Sequence, residues 1–206
     1  LTAEAADIDA SGVNLSAVGA ATLTAGQDLK LATSGDAVAR VTAKSLSATA
    51  CGALDASRLQ VAVKEASAFR SNGLLTITDA NVSGGSLRAE GDAGVEGSRI
   101  KVDVTGNGYN EGNRGDYEGV VTIKSSKGPV TLTGADVKGD KGDFFARSEG
   151  DLNVETARFE ILDGGLGFKS TGGNLTLAGA TGLKGDFLEM EAHGSIGMED
   201  MEHSVE

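Results

Sequence analysis

The chain has 206 residues, among them 31 Gly, one Pro, one Cys and no Trp, and aromatic residues make up 4%. Thirty acidic residues against eighteen basic ones set the formal charge at −12, which excludes nucleic acid and an anionic membrane surface as expected partners, since both select a Lys/Arg surplus. With apolar residues at 39%, many of them Ala and Val, a thick globular core is excluded too and a thin, regular one is expected.

Two segments match closely: Gly91-Asp92-Ala93-Gly94-Val95-Glu96-Gly97-Ser98-Arg99-Ile100 and Gly150-Asp151-Leu152-Asn153-Val154-Glu155-Thr156-Ala157-Arg158-Phe159. In chain order the same local pattern begins at Ile8, Leu29, Gly52, Leu75, Ala93, Val130, Leu152, Leu175 and Ile196. Its spacings of 21, 23, 23, 18, 37, 22, 23 and 21 define a repeat of about 22 residues. The gap of 37 has room for one further coil plus an insertion, so about ten coils are expected.

Within a coil the apolar residues alternate, as in Leu29/Leu31, Leu75/Ile77, Val130/Leu132 and Leu175/Leu177, which is the period of a half-buried strand. A second apolar point follows at Val82, Ile100, Val137, Phe159 and Leu183. A third follows at Val41, Leu87/Ala89, Phe144/Ala146, Leu166/Phe168 and Leu188/Met190. Three short strands per coil, separated by Gly, Asp, Asn and Ser, predict an all-β fold: a right-handed parallel β-helix running as a single segment over 1–206. Small Ala, Val and Leu suit its narrow core, Gly and Asn suit its corners, and the single Pro129 precedes a strand. Residues 60–70 have some helical character but read as strand and corner.

Residues 105–119, which hold both tyrosines, break the repeat and predict a projecting loop. Residues 199–206 are acidic and predict a frayed tail. The chain begins at Leu1 with no basic, apolar leader and reads as a mature or excised segment, with both ends as cut surfaces of a longer solenoid. No apolar run is long enough for a membrane-spanning helix.

The phrases Gly173-Asn174-Leu175-Thr176-Leu177-Ala178-Gly179-Ala180, Val130-Thr131-Leu132-Thr133-Gly134-Ala135-Asp136-Val137 and Leu75-Thr76-Ile77-Thr78-Asp79-Ala80-Asn81-Val82, with Gly26-Gln27-Asp28-Leu29-Lys30-Leu31, carry a resemblance. They resemble the repeat region of filamentous haemagglutinin-type exoproteins, which leave bacteria by the two-partner route. The resemblance implies a secreted, cell-surface segment, the stalk of an adhesin or of a contact-dependent toxin-delivery filament. It also implies an outer-membrane secretion partner, a receptor or glycan on a host or neighbouring cell, and no catalysis. Arg114-Gly115-Asp116, in the 105–119 loop, is the tripeptide through which some integrins bind their ligands, and filamentous haemagglutinins carry such a tripeptide. The same residues also fit a plain polar loop.

Other chemistries leave weaker traces. Asn107, Asn110, Glu111, Asn113, Asp116 and Glu118 supply oxygen ligands, but at no calcium-loop spacing, and no metal or cofactor is expected. Asp136 to Asp143 interleaves lysines and reads as a solvated corner. Cys51, flanked by Ala50 and Gly52, reads as a small buried residue. For a polysaccharide-active β-helix enzyme, the outward carboxylates would have to pair on one sheet. Glu96 and Glu155 fall in non-adjacent coils, Asp55 faces Thr78, and His193 and His203 read as surface residues, so no enzyme is expected. The threonine ladder of an ice-binding solenoid is interrupted by Lys30, Glu96 and Glu155. The runner-up function is a periplasmic lipid-binding or lipid-bridging solenoid, with Phe144, Phe145, Phe159, Phe168 and Phe187 lining a slot.

Overall fold

In a computed structural model, the structure describes residues 1–32, 38–106, 120–179, 182–200 and 202–203. The described residues form 27 β-strands and no helix. Every third strand joins the same sheet, which gives three parallel sheets of nine strands each. One strand from each sheet makes a rung. The first rung is β1 (Thr2–Ala5), β2 (Ile8–Asp9) and β3 (Asn14–Ser16), and the ninth is β25 (Leu188–Ala192), β26 (Ile196–Met198) and β27 (Glu202–His203). The fold is therefore the parallel β-solenoid read from the repeat, with about 22 residues per turn. Eight steps join the first rung to the last, a length of roughly 38 Å at about 4.8 Å per step.

The expected ten coils become nine rungs because the long gap holds no additional coil. Leu87 pairs directly with Val121, Val95 with Val130, and Lys101 with Asp136. All of the surplus length falls in one corner, between Lys101–Val104 and Val121–Ser125. Seven of the nine expected reference positions lie in one register column; the other two members are Leu54 and Val95 rather than Gly52 and Ala93. Likewise Val102, not Ile100, follows Val82, and Val41 belongs to the third sheet, between Leu15 and Val61. The segment 60–70 is strand, corner and strand, with Leu59–Val63 and Ala66–Ser71 on either side of the turn.

The core follows from stacking identical backbone positions one rung apart. Some columns stack large apolar residues throughout, and in others large and small residues take turns. The first-sheet column Leu23, Ala48, Phe69, Ala89, Ile123, Ala146, Phe168 does this over seven rungs. In the third sheet Gly139 stands between Val104 and Ile161, and a Cβ on it would lie 2.8 Å from Ile161 Cδ1. Phe144, Phe159 and Phe168 are all 0% exposed and meet with ring centroids 4.5 to 5.5 Å apart.

Two corner devices hold the three sheets at their angles. Between the first and second sheets, the buried Ser71, Ser125, Ser148 and Ser170 turn their hydroxyls onto corner carbonyls. Ser71 donates to Gly52 at 2.7 Å, Ser148 to Asp151 at 2.9 Å and Ser170 to Gly150 at 2.7 Å. These bonds add a side-chain donor to the corner carbonyls, of which Gly52 and Asp151 also accept Gly73 and Val130 N–H. Between the second and third sheets, one residue in each described corner takes left-handed backbone. These are Gly12, Arg58, Asp79, Arg99, Gly134, Thr156, Gly179 and Asp200, with φ between 49° and 68°. A single left-handed residue reverses the chain sharply, at a cost for residues with a Cβ. Asp79 and Arg99 project from that column and pair through two hydrogen bonds, Nε to Oδ1 at 2.5 Å and Nη2 to Oδ2 at 2.8 Å.

Candidate functional site

The corner that carries the insertion is the largest departure of the solenoid from its period; a smaller one falls between Leu29–Lys30 and Ala39–Ala43. Lys101–Val104 is a regular third-sheet strand, paired with Asn81–Gly84 on one side and Asp136–Gly139 on the other. Beyond it the ladder continues for two residues. Thr105 N–H donates to the Gly84 carbonyl at 3.0 Å and Gly106 N–H to that of Gly85 at 2.9 Å. Gly106 then turns with φ +75°, and a Cβ there would lie 2.9 Å from the Lys141 carbonyl oxygen. Both conformation and space call for glycine at this exit.

The chain rejoins the rod at Val120, whose side chain is buried and whose carbonyl accepts Leu87 N–H at 2.9 Å. Thr105 and Gly106, the first two residues of the loop expected at 105–119, instead continue the ladder. The 107–119 segment, with Arg114, Gly115 and Asp116 and the oxygen-rich set Asn107, Asn110, Glu111, Asn113 and Glu118, lies outside the described residues.

Other candidate chemistry is dispersed over the three faces. Glu96 and Glu155 both face outward from the second sheet but are two rungs apart, in different columns. Asp55 pairs with Thr76, not Thr78, and with Lys30 on its other side. His193 is exposed, and the backbone of His203 pairs with that of Leu183. Among the described residues no three His, Cys, Asp or Glu side chains are placed to share a metal ion. The second-sheet face carries a groove lined by Thr78, Glu96, Gly97, Ser98, Thr131 and Thr133.

Two residues differ from their expected settings. Cys51 is exposed, because its place is the outer side of the first corner rather than an inward column. Asp143 sits in the corner expected to be solvated yet is 0% exposed; its Oδ1 accepts Gly165 N–H at 2.9 Å and ties adjacent turns together.

The surface charges pair locally. Arg99 hydrogen-bonds Asp79 and holds its carboxyl below the usual range, and Asp79 in turn raises the Arg99 guanidinium. Ser126 and then Lys127 lower Asp92. Burial opposes ionisation of Glu90, but hydrogen bonds and charge from Arg88 and Arg70 outweigh it and leave that carboxyl lowered too. These are charges held fixed at neutral pH, an arrangement suited to maintaining a surface rather than to exchanging protons.

Of the five phenylalanines that could line a slot, Phe144, Phe159 and Phe168 point inward. Phe145 faces outward by register but is buried, its ring lying over Gly167, where a Cβ would come within 2.2 Å of it. Phe187 is 39% exposed and covers Gly165 in the same way. The serine column and the left-handed column were missed in the sequence. A recurring Ser four or five residues before the second-sheet reference position was the available signal for the first; Arg58, Asp79, Arg99 and Thr156 gave none for the second. Comparison with protein-family models, with curated proteins and with solved structures found no match.

Proposed function

We propose that this chain is a stalk segment of a secreted bacterial surface filament, which holds a contact loop at 105–119 away from its own cell. The observation that carries the reading is a regular solenoid whose longest insertion falls at one corner, clamped by interstrand hydrogen bonds on both sides. A rod built this way transmits force along its ladders, while the insertion is free to vary without disturbing register. The three phenylalanines that fill the interior support a solid rod over a lipid conduit. On this reading the partner is a receptor or glycan on a host or neighbouring cell, engaged through Arg114, Gly115 and Asp116, and export runs through an outer-membrane secretion partner.

The test is attachment of epithelial cells to surfaces coated with the intact chain, with an Arg114→Ala/Asp116→Ala variant, and with a variant in which 107–119 is replaced by a short Gly-Ser bridge. Attachment should fall to background in both variants while the melting temperature stays within a few degrees. Equal attachment to all three surfaces rules out the loop as the contact.

A further inference from the structure

Within the paired strands, a charged residue faces another charged residue on the neighbouring rung twelve times. Ten of these contacts join opposite signs. On the third face, for example, Lys101, Asp136 and Arg158 alternate in one column, and Asp103, Lys138, Glu160 and Lys184 in the next. Such alternation is what directly opposed side chains about 4.8 Å apart require, because like charges at that separation repel. The rule is broken twice, and the two exceptions are contiguous: Lys124 faces Arg147, and Arg147 faces Lys169. Both exceptions are cationic, in a chain with thirty acidic residues and eighteen basic ones.

The row stands on the outer face of the first sheet. Glu90 closes one end and Glu191 the other, each as the next register partner. Arg147 is held by Glu149 at 3.6 Å and Lys169 by Glu191 at 2.5 Å, with side chains 29% and 19% exposed. These contacts keep the side chains extended along the face. In the neighbouring column Phe145 stands beside Arg147 and Gly167 beside Lys169, and the Phe145 ring lies over Gly167 as an apolar flank to the row.

We propose that Lys124, Arg147 and Lys169 form a binding row for a linear acidic polysaccharide lying along the rod axis. Such a chain crosses the strands at right angles and meets one cation per rung, so its carboxylates or sulfates need recur only about every 4.8 Å. A nucleic acid fits less well. Its broad, continuous phosphate surface would also cover Glu149 and Glu189 beside the row, whereas a short stretch of one narrow chain spans only the three cations between Glu90 and Glu191. The site is independent of residues 105–119 and of the adhesive reading built on them.

The test is binding of the intact chain to polygalacturonate (carboxylate) and to dextran sulfate (sulfate) at low ionic strength, with single-stranded DNA as a third probe. Lys124→Gln, Arg147→Gln and Lys169→Gln should each weaken polysaccharide binding about fivefold, and the affinity should fall as salt shortens the screening length. The triple variant Lys101→Gln/Lys138→Gln/Arg158→Gln removes the same number of charges from the third face and should leave binding within about twofold. Preference for one polymer identifies the anion. The proposal is overturned by no binding to either polysaccharide, by a third-face triple variant that weakens binding as much as a single row variant, or by tighter binding of the DNA through the same row.

Discussion

Two glycines one coil corner apart separate two causes of glycine dependence that sequence cannot distinguish. Gly128 has ordinary backbone, but a Cβ on it would lie 1.8 Å from the Ala93 carbonyl oxygen and 2.5 Å from the carbonyl carbon. Real Cβ atoms stay beyond 3.0 Å of such neighbours, so Gly128→Ala must force the adjacent rungs apart at this corner. The bonds at risk there are Gly128 N–H to Ser125 Oγ, Gly150 N–H to the Gly128 carbonyl, and Val95 N–H to the Pro129 carbonyl, each 3.0 Å. At about 1 kcal/mol per hydrogen bond, the loss is about 3 kcal/mol. Gly134 is the reverse case. Its φ is +64°, and the nearest atom to a Cβ would be Arg99 Cγ at 3.6 Å, so Gly134→Ala meets no obstacle and costs only the left-handed penalty, about 1 kcal/mol. For a chain of this size the two substitutions should lower the melting temperature by about 6–12 °C and about 2–4 °C, respectively. Thermal melts followed by far-ultraviolet circular dichroism read both. If Gly128→Ala melts no lower than Gly134→Ala, close contact between rungs is not what requires glycine at that corner.

Three further outcomes follow from the packing and the charges. Ser67 is 1% exposed in an inward column between Leu46 and Leu87, and its hydroxyl finds no hydrogen-bond partner. Ser67→Ala should therefore raise stability by about 1 kcal/mol in urea titration, and a loss would mean that the hydroxyl is satisfied. Phe159→Ala removes the ring that meets both Phe144 and Phe168 and should cost about 3–5 kcal/mol by the same titration; a cost under about 1 kcal/mol would show a core that collapses freely. Because Arg99 depresses the folded-state Asp79 carboxyl below 3.8, that pair contributes stability above this value and loses it as pH falls through the lowered one. Wild type and Asp79→Asn should therefore differ most in melting temperature above pH 4 and converge on acidification; a gap that widens in acid would reverse the assignment.

Much of the architecture was legible because a solenoid writes its period into the chain. Seven reference positions were read correctly, since Leu29, Leu75, Val130, Leu152 and their equivalents each begin an alternating apolar pair. The column was missed at Leu54 and Val95, where the next inward places hold Ala56 and Gly97 rather than large residues. Ile100 was preferred to Val102 because both are apolar, and only register tells which one continues the Val82 column. The insertion was legible as a break in composition. Its effect on the coil count was not, because 37 residues equally accommodate a coil plus a loop or a longer loop.

Relations between rungs were the least legible features. The serines at 71, 125, 148 and 170 read singly as corner residues, and their shared role emerges only when they align. Sign alternation on the third face, and its failure at Lys124, Arg147 and Lys169, likewise requires register exact to one residue. Left-handed backbone at Arg58 or Thr156 leaves no mark in residue type, because those residues pay a conformational cost rather than express a preference.

The central claim is that this chain is a solid rod carrying a contact loop, and not a conduit. Native mass spectrometry of the purified protein, followed by solvent extraction and lipid analysis, addresses it most directly. The account predicts a mass equal to that of the bare polypeptide and an extract without stoichiometric lipid, since the rings of Phe144, Phe159 and Phe168 occupy the interior. A protein carrying one or more acyl lipids per chain, lost when Phe187 is replaced, would contradict it.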